Sequence, residues 1–163
     1  MAPRRCELRD VNGSLKECSS LAITMLRQLH HELTINTHDP GFTRLGAAID
    51  AVIADSGIGE GLCTVLVRHT SCSLTINENA DPRVLADLES YLGDLVPRKR
   101  LYRHDDEGPD DMPAHIRTAL TTTSIGLPFK AGRLLLGTWQ EVYLWEHRDG
   151  RHQRRIALHL MGA

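Results

Sequence analysis

Residues 62–81 impose the tightest constraint on how this chain can fold. Residues 62–68 form an apolar, β-branched run of the kind that fills a buried strand. Period-two geometry puts Cys63, Val65, Val67 and His69 on one face, so an imidazole stands where the strand leaves the core. From Thr70 onward hydroxyls, amides and carboxylates crowd together, through Ser71, Ser73, Thr75, Asn77, Glu78, Asn79 and Asp81, broken mainly by Leu74 and Ile76. Solubility alone does not require so much polar chemistry next to a core strand, and the stretch reads as the wall of a site. Asp81-Pro82 then reads as the N-cap and first residue of a helix over about 82–92, with Val84, Leu85, Leu88, Leu92 and Leu95 as its core face and Gly93 as its stop.

The flanking segments place this wall in a domain. Residues 43–56 carry Leu45, Ala48, Ile49, Val52 and Ile53 at the helical period, with Thr43 as expected N-cap and Gly57 as stop. Gly57, Gly59 and Gly61 follow a helix and precede a strand, the reverse of a dinucleotide-binding order, and read as turn glycines. Leu21, Met25, Leu29 and Leu33 fit a helix, but residues 33–35 also begin a plausible strand, and His38-Asp-Pro-Gly41 closes the segment as a turn. After a basic loop at 97–100 comes an acidic one, residues 104–111, with five carboxylates in eight positions. A short helix opens at Asp111 or Met112 with Pro113 in its first turn and Ile116, Ala119 and Leu120 expected inward. Residues 124–129, 134–145 and 153–160 read as strands, separated by Ala131-Gly132 and by a hairpin turn at 147–150. Helices and strands do not alternate regularly, which favours an α+β domain with mixed, largely antiparallel sheets over a doubly wound parallel one.

Composition narrows the partners. A net charge of -2, with 25% charged residues, leaves no footprint for nucleic acid or for a membrane surface. The longest apolar runs fall far short of the ~20 residues a membrane helix needs. Cys6, Cys18, Cys63 and Cys72 form no Cys-x-x-Cys pair and no secretory signal is visible, which points to free thiols and a cytoplasmic protein, while the charge balance points to a small-molecule partner.

Nine histidines are the compositional oddity, and three of them, His69, His104 and His115, lie where an element meets a polar loop. Imidazole binds metals and exchanges protons near neutral pH; against that stands packing, capping or plain solvation. His115 falls in a first helical turn, where unpaired N–H groups and the dipole favour an anionic ligand and a neutral ring. Glu78 has no helix of its own to cap, whereas Asp111 fits a helix cap as well as a ligand, and Asp81 fits a cap best. His69 and Cys72 lack the second pair that a structural zinc site requires, and Cys72 reads as a packed thiol before a nucleophile. Trp139 and Gln140 would take opposite faces of a strand, and Arg151, Arg154 and Arg155 read as a solvated basic edge.

Three segments taken together carry a resemblance: His-Thr-Ser-Cys-Ser-Leu-Thr-Ile-Asn-Glu-Asn-Ala-Asp-Pro at 69–82, Glu-Gly-Pro-Asp-Asp-Met-Pro-Ala-His-Ile at 107–116, and Gly-Arg-Leu-Leu-Leu-Gly-Thr-Trp-Gln at 132–140. In this order they resemble the YjbQ-like family, also called secondary thiamine-phosphate synthases, over residues 25–162. The resemblance implies a compact α+β fold, a homotrimer, and weak coupling of a pyrimidine diphosphate to a thiazole phosphate with release of pyrophosphate. It implies catalytic roles for His69, Glu78 and His115, substrate contacts from Ser71, Asn77, Asn79 and Gln140, and a divalent metal, zinc or magnesium, on His104, Asp111 and His115. Two departures stand out: Glu141 occupies a position that is often small in relatives, where it would alter the pocket rim or face solvent, and residues 1–24 have no counterpart. The chain is thus expected to be an N-terminal extension of 24 residues followed by one domain at 25–163. The competing readings are a metal-dependent hydrolase of a phosphorylated or acyl substrate and a non-catalytic ligand-binding trimer.

Overall fold

The computed structural model describes residues 7–9, 15–17 and 25–163. Most of the proposed N-terminal extension, and with it Cys6 and Cys18, lies outside the described residues; within it β1 (Glu7–Arg9) pairs antiparallel with β2 (Leu15–Glu17). The ambiguous segment after Met25 is a strand, β3 (Arg27–Thr37), followed by β4 (Gly41–Arg44), α1 (Gly46–Ser56), β5 (Glu60–Val67), β6 (Cys72–Glu78), α2 (Pro82–Leu95) and α3 (Asp111–Leu120). The chain closes with β7 (Ser124–Lys130), β8 (Arg133–Leu134), β9 (Gln140–Glu146) and β10 (His152–Gly162). This is the expected α+β architecture, and every named strand pair is antiparallel.

Two sheets share the work. One runs β3-β10-β5-β7-β8, the other β4-β9-β6. Cys63, Val65 and Val67 of β5 face inward as period two requires, against Ile156, Leu158 and Leu160 of β10, Val142 and Leu144 of β9, Leu74 of β6, and Ile49 and Ile53 of α1. The three-stranded sheet is covered on its other side as well, where Trp145 packs with Leu92 and Val96 under α2 and beside Ile116 of α3. No helix among the described residues is long and apolar enough to cross a membrane.

Several boundaries differ from expectation, each for a physical reason. The polar stretch after His69 is not a loop: Cys72 to Glu78 is itself a strand, paired with β9 from Cys72↔Glu146 to Glu78↔Gln140. Its buried residues at the Cys72 end and half-buried polar ones at the Glu78 end let one strand serve both core and surface. Thr43 does not cap α1, because it is paired with Leu144 in β4. Glu141 supplies the missing cap, its Oε1 accepting the Gly46 N–H at 2.9 Å, and a side chain at residue 46 would collide with that carboxylate. Glu141 therefore neither faces solvent nor lines a rim. Gly57 ends α1 as read, in the left-handed region at φ 64. Helix α2 runs through Gly93 to Leu95, since its packing on Trp145 continues to Leu92 and Val96. In α3 the buried positions are Asp111, Pro113, Ala114, Arg117 and Thr118, while Ala119 and Leu120 face outward: Arg117 is drawn in by Glu89, which accepts from its Nη1 at 3.0 Å and from Trp145 Nε1 at 2.5 Å. The expected strand at 134–145 is broken at 135–139, leaving Trp139 in a turn and 66% exposed.

Residues 147–150 are not a hairpin turn. They carry the chain from the three-stranded sheet into the five-stranded one, because β9 pairs with β4 and β6 whereas β10 pairs with β3 and β5. A buried ion pair closes this crossover. Glu146, 1% exposed, accepts from Arg154 Nε at 2.6 Å and Nη2 at 2.5 Å, from Thr37 Oγ1 at 2.6 Å, and from the backbone N–H groups of His147 and Arg148 at 3.0 Å each. Arg154 is thus not part of a solvated basic edge. Burial pushes the Glu146 carboxyl up, but the Arg154 guanidinium, the Thr37 hydroxyl and the Arg148 N–H outweigh it and hold it below the usual range.

Removing one member of such a pair leaves the other charge buried, so Glu146→Gln is expected to cost about 3–5 kcal/mol in urea unfolding. Because the native value is lowered, the stabilisation is complete above the ordinary glutamate range near ~4.3 and is lost as pH falls through the native value. The wild-type protein should lose stability on acidification through that window more steeply than Glu146→Gln; parallel curves would refute the assignment.

Candidate functional site

The N-terminus of α3 and the acidic loop before it bring three of the expected residues together. His104 Nε2 lies 2.9 Å and His115 Nε2 3.3 Å from Asp111 Oδ2, and one ligand atom from each residue falls within 4.8 Å of the others. Asp111 and His115 are four apart on α3, so one helical turn sets them on one face, and the loop folds back to deliver His104. The two rings are tilted at 50°, with centroids 5.6 Å apart, and do not stack.

The electrostatics of this group are unusual. Asp111 is 2% exposed, and its Oδ2 has no hydrogen-bond partner although two imidazole nitrogens lie close: neither approach has hydrogen-bond geometry. His115 Nδ1 lies 3.0 Å from the Thr70 carbonyl, which can only accept, so Nδ1 carries a proton and Nε2 is the ring nitrogen turned toward the carboxylate. A cation between Asp111 Oδ2 and the two Nε2 atoms would give the buried oxygen the partner it lacks.

Supporting groups hold the carboxylate rigid. Arg148, from the crossover, donates through Nη1 to Asp111 Oδ1, through Nε to Asp110 Oδ2 at 2.7 Å and through Nη2 to the Glu107 carbonyl at 2.9 Å. Burial pushes Asp110 up, but the Asp149 N–H and the Arg148 guanidinium overcome it and keep that carboxyl below its usual range. Asp111 does not cap α3; it is the first helical residue, and its carboxylate is turned to the histidines and Arg148. Sequence reasoning missed Arg148, and no local signal marks it, since its partners lie about forty positions away. Beside the group opens a cleft of about 160 Å³ lined by Arg98, Arg100, Tyr102, His104, Met112 and Pro113 among others. Arg98 is committed to Asp149 through bonds of 2.6 and 2.7 Å, whereas the Arg100 guanidinium lies 6.0 Å above the Tyr102 ring.

The other expected residues are placed differently. His69 accepts the Arg155 N–H at 2.8 Å through Nε2, and burial together with the charges of Arg154 and Arg155 lowers its proton affinity, so it is a neutral ring bonded to β10. It adjoins Thr70 but is not in the three-residue group. Ser71 is half-buried just before β6. Asn77, Glu78, Asn79 and Gln140 lie at the far end of that strand: Asn77 Oδ1 accepts the Glu78 N–H at 2.8 Å, Asn79 Nδ2 donates to the carbonyls of Thr138 and Gln140 at 3.2 and 3.1 Å, and Gln140 Oε1 accepts the Gly137 N–H at 2.8 Å. Seven residues at ~3.3 Å each separate this end from the histidines by about 20 Å. Asp81 caps α2 as read, accepting from the Arg83 N–H at 2.9 Å. Cys72 is fully buried and its thiol is pushed up to about 12 by burial, which suits packing and not nucleophilic attack. Ser73 and His147, bonded at 2.9 Å, are sealed in the core, where burial and the charge of Arg117 push the imidazole down to about 3.

Comparison with known proteins agrees with the fold and with the family that the motifs resemble. The family described as UPF0047 protein YjbQ-like matches residues 31–163. A UPF0047 protein of Synechocystis is 54% identical over 137 residues, covering 83% of this chain and 93% of that protein, and the UPF0047 protein YjbQ of Escherichia coli O157:H7 is 43% identical over 131 residues, covering 80% and 95%. Among solved structures, a conserved hypothetical protein of Thermus thermophilus superposes with a TM-score of 0.72 at 35% identity, covering 80% of this chain and 98% of that one. A protein of unknown function from Sulfolobus solfataricus superposes with a TM-score of 0.78 at 20% identity, covering 85% and 100%, and shares the fold. The chain belongs to the YjbQ-like UPF0047 family.

Proposed function

We propose that this protein is a metal-dependent enzyme acting on a phosphorylated small molecule, with His104, Asp111 and His115 as the protein ligands of a divalent cation. The observation that carries the reading is Asp111 Oδ2, buried and without a donor, between two imidazole nitrogens. Two imidazoles and one carboxylate suit zinc or a similar transition ion better than magnesium, and three protein ligands leave a position open. A cation held there would supply Lewis-acid stabilisation of charge on a phosphoryl oxygen. Arg148 keeps the Asp111 carboxylate aimed, the Thr70 carbonyl fixes the His115 tautomer, and Arg100 stands over Tyr102 at the cleft mouth to meet an anionic group.

Within this class the finer reading is a transferase of the thiamine-phosphate synthase type, supported by the motif resemblance. Pyrophosphate leaves the pyrimidine methylene with the C–O bond pair, and the thiazole nitrogen forms the new C–N bond with its own pair. The protein's task is then to orient both partners and stabilise the leaving charge. A second reading, hydrolysis of a phosphorylated or acyl substrate, is favoured by the donor set itself, since two histidines and a carboxylate are a zinc-hydrolase combination. The reading includes a cytoplasmic homotrimer, as the resemblance implies, and Leu62, Leu66 and Met161, 40, 44 and 37% exposed on the outer face of the larger sheet, offer an apolar face for self-association.

Equilibrium dialysis of the metal-free protein should show tight binding of zinc, weakened by at least about tenfold in His104→Ala and in His115→Ala, that is by 1.4 kcal/mol or more. Unchanged affinity in both would refute the ligand assignment. Arg148→Gln should weaken zinc by about 10–100-fold with all three ligands present, as loss of a ligand-orienting partner does. For the reaction, the zinc- or magnesium-loaded protein is supplied with the two thiamine phosphate halves and, separately, with aryl phosphate and aryl ester probes. Thiamine phosphate formation selects the transferase, probe hydrolysis selects the hydrolase, and inactivity with every metal and substrate rejects the enzymatic reading.

A further inference from the structure

The motif Asn77-Glu78-Asn79 lies about 20 Å along β6 from the histidines and is not accounted for by the metal site. It borders a second cleft, of about 240 Å³, lined by Arg44, Glu78, Asn79, Asp81, Leu85 and Tyr143 with their neighbours. We propose that this cleft binds a small zwitterion of amino-acid size, Glu78 taking its cationic group and Arg44 its anionic one.

The cleft is built rather than incidental. Tyr143, 1% exposed, donates through its hydroxyl to the Glu78 carbonyl at 3.0 Å and fixes the strand end. Asn79 spends its side-chain amide on the turn that carries Trp139, and Arg44 Nη2 is anchored on the Asn79 carbonyl at 2.8 Å, which holds the guanidinium at the cleft with donors to spare. Asp81 has its charge answered by Arg83 at 2.6 Å. Glu78 does not: one oxygen accepts the Asp81 N–H at 3.3 Å, and neither Glu78 nor Arg44 takes part in any ion pair among the described residues. A half-buried carboxylate and a guanidinium thus line one small space without meeting each other. Glu78 is half-buried and Arg44 exposed, and a ligand bearing opposite charges at its two ends would meet both at once while its body lies against Leu85 and Pro82. A metal ion would use the carboxylate but not the guanidinium, and a simple anion the reverse. The inference does not depend on the metal reading, because the two sites share no residue.

The test is a ligand-observed NMR screen of the full chain against the proteinogenic L-amino acids, with chelator present so that the histidine group does not contribute. Calorimetry of each hit then follows against the wild type, Glu78→Gln and Arg44→Gln. At least one amino acid should bind in the micromolar to millimolar range, both substitutions should weaken it by about tenfold or more, and its N-acetyl and carboxamide derivatives should not bind. The derivatives decide the matter on the wild type alone if a variant fails to fold. Absence of binding by every amino acid, binding that survives either substitution, or binding retained by a charge-blocked derivative would overturn the proposal.

Discussion

The buried pair between Glu146 and Arg154 is the interaction on which the rest of this structure depends. It sits where the chain leaves one sheet for the other, and with Thr37 it joins β9, β10 and β3 through one carboxylate. Desolvating two charges is expensive, and here the cost is offset because five donors converge on Glu146, including the N–H groups of His147 and Arg148. The consequence reaches the surface directly. Arg148, whose backbone is fixed by that carboxylate, extends its guanidinium to Asp110 and Asp111, so the position of the Asp111 carboxylate follows from the geometry of the core crossover.

Strand β6 gives the molecule two chemically distinct ends. At one, Thr70 hands its carbonyl to His115 and the acidic loop supplies His104; at the other, Glu78 and Asn79 border a cleft shared with Arg44. The strand's middle is held by β9 on a fully paired ladder, which keeps the two ends from drifting relative to each other. A polar motif that is continuous in sequence is therefore divided in space.

How much of this was legible beforehand depended on whether the cause was local. The alternation of Cys63, Val65 and Val67, the Asp81-Pro82 cap and the left-handed stop at Gly57 are local, and each appears as read. Asp111 and His115 lie four apart on one helical face, but Asp111 read equally well as a cap, and its grouping with His104 and His115 came only through the resemblance. What escaped was set by distant partners. Glu141 caps a helix ninety-five positions before it, Arg154 is buried by a carboxylate on another sheet, and Arg148 serves a loop on the far side of α3. The apparent hairpin at 147–150 has turn chemistry that is indifferent to whether the strands it joins pair with each other. Within one chain the polar motifs do not meet in one pocket, because a single strand of seven residues is long enough to hold its ends apart.

The central claim is that His104, Asp111 and His115 close around one cation, and X-ray absorption at the zinc edge of the loaded protein tests it most directly. The account predicts a first shell with two imidazole nitrogens and a carboxylate oxygen at about 2.0–2.2 Å, completed by an exchangeable water oxygen, with one imidazole's scattering lost in His115→Ala. A shell of water oxygens alone, or a spectrum identical in the wild type and His115→Ala, would contradict it.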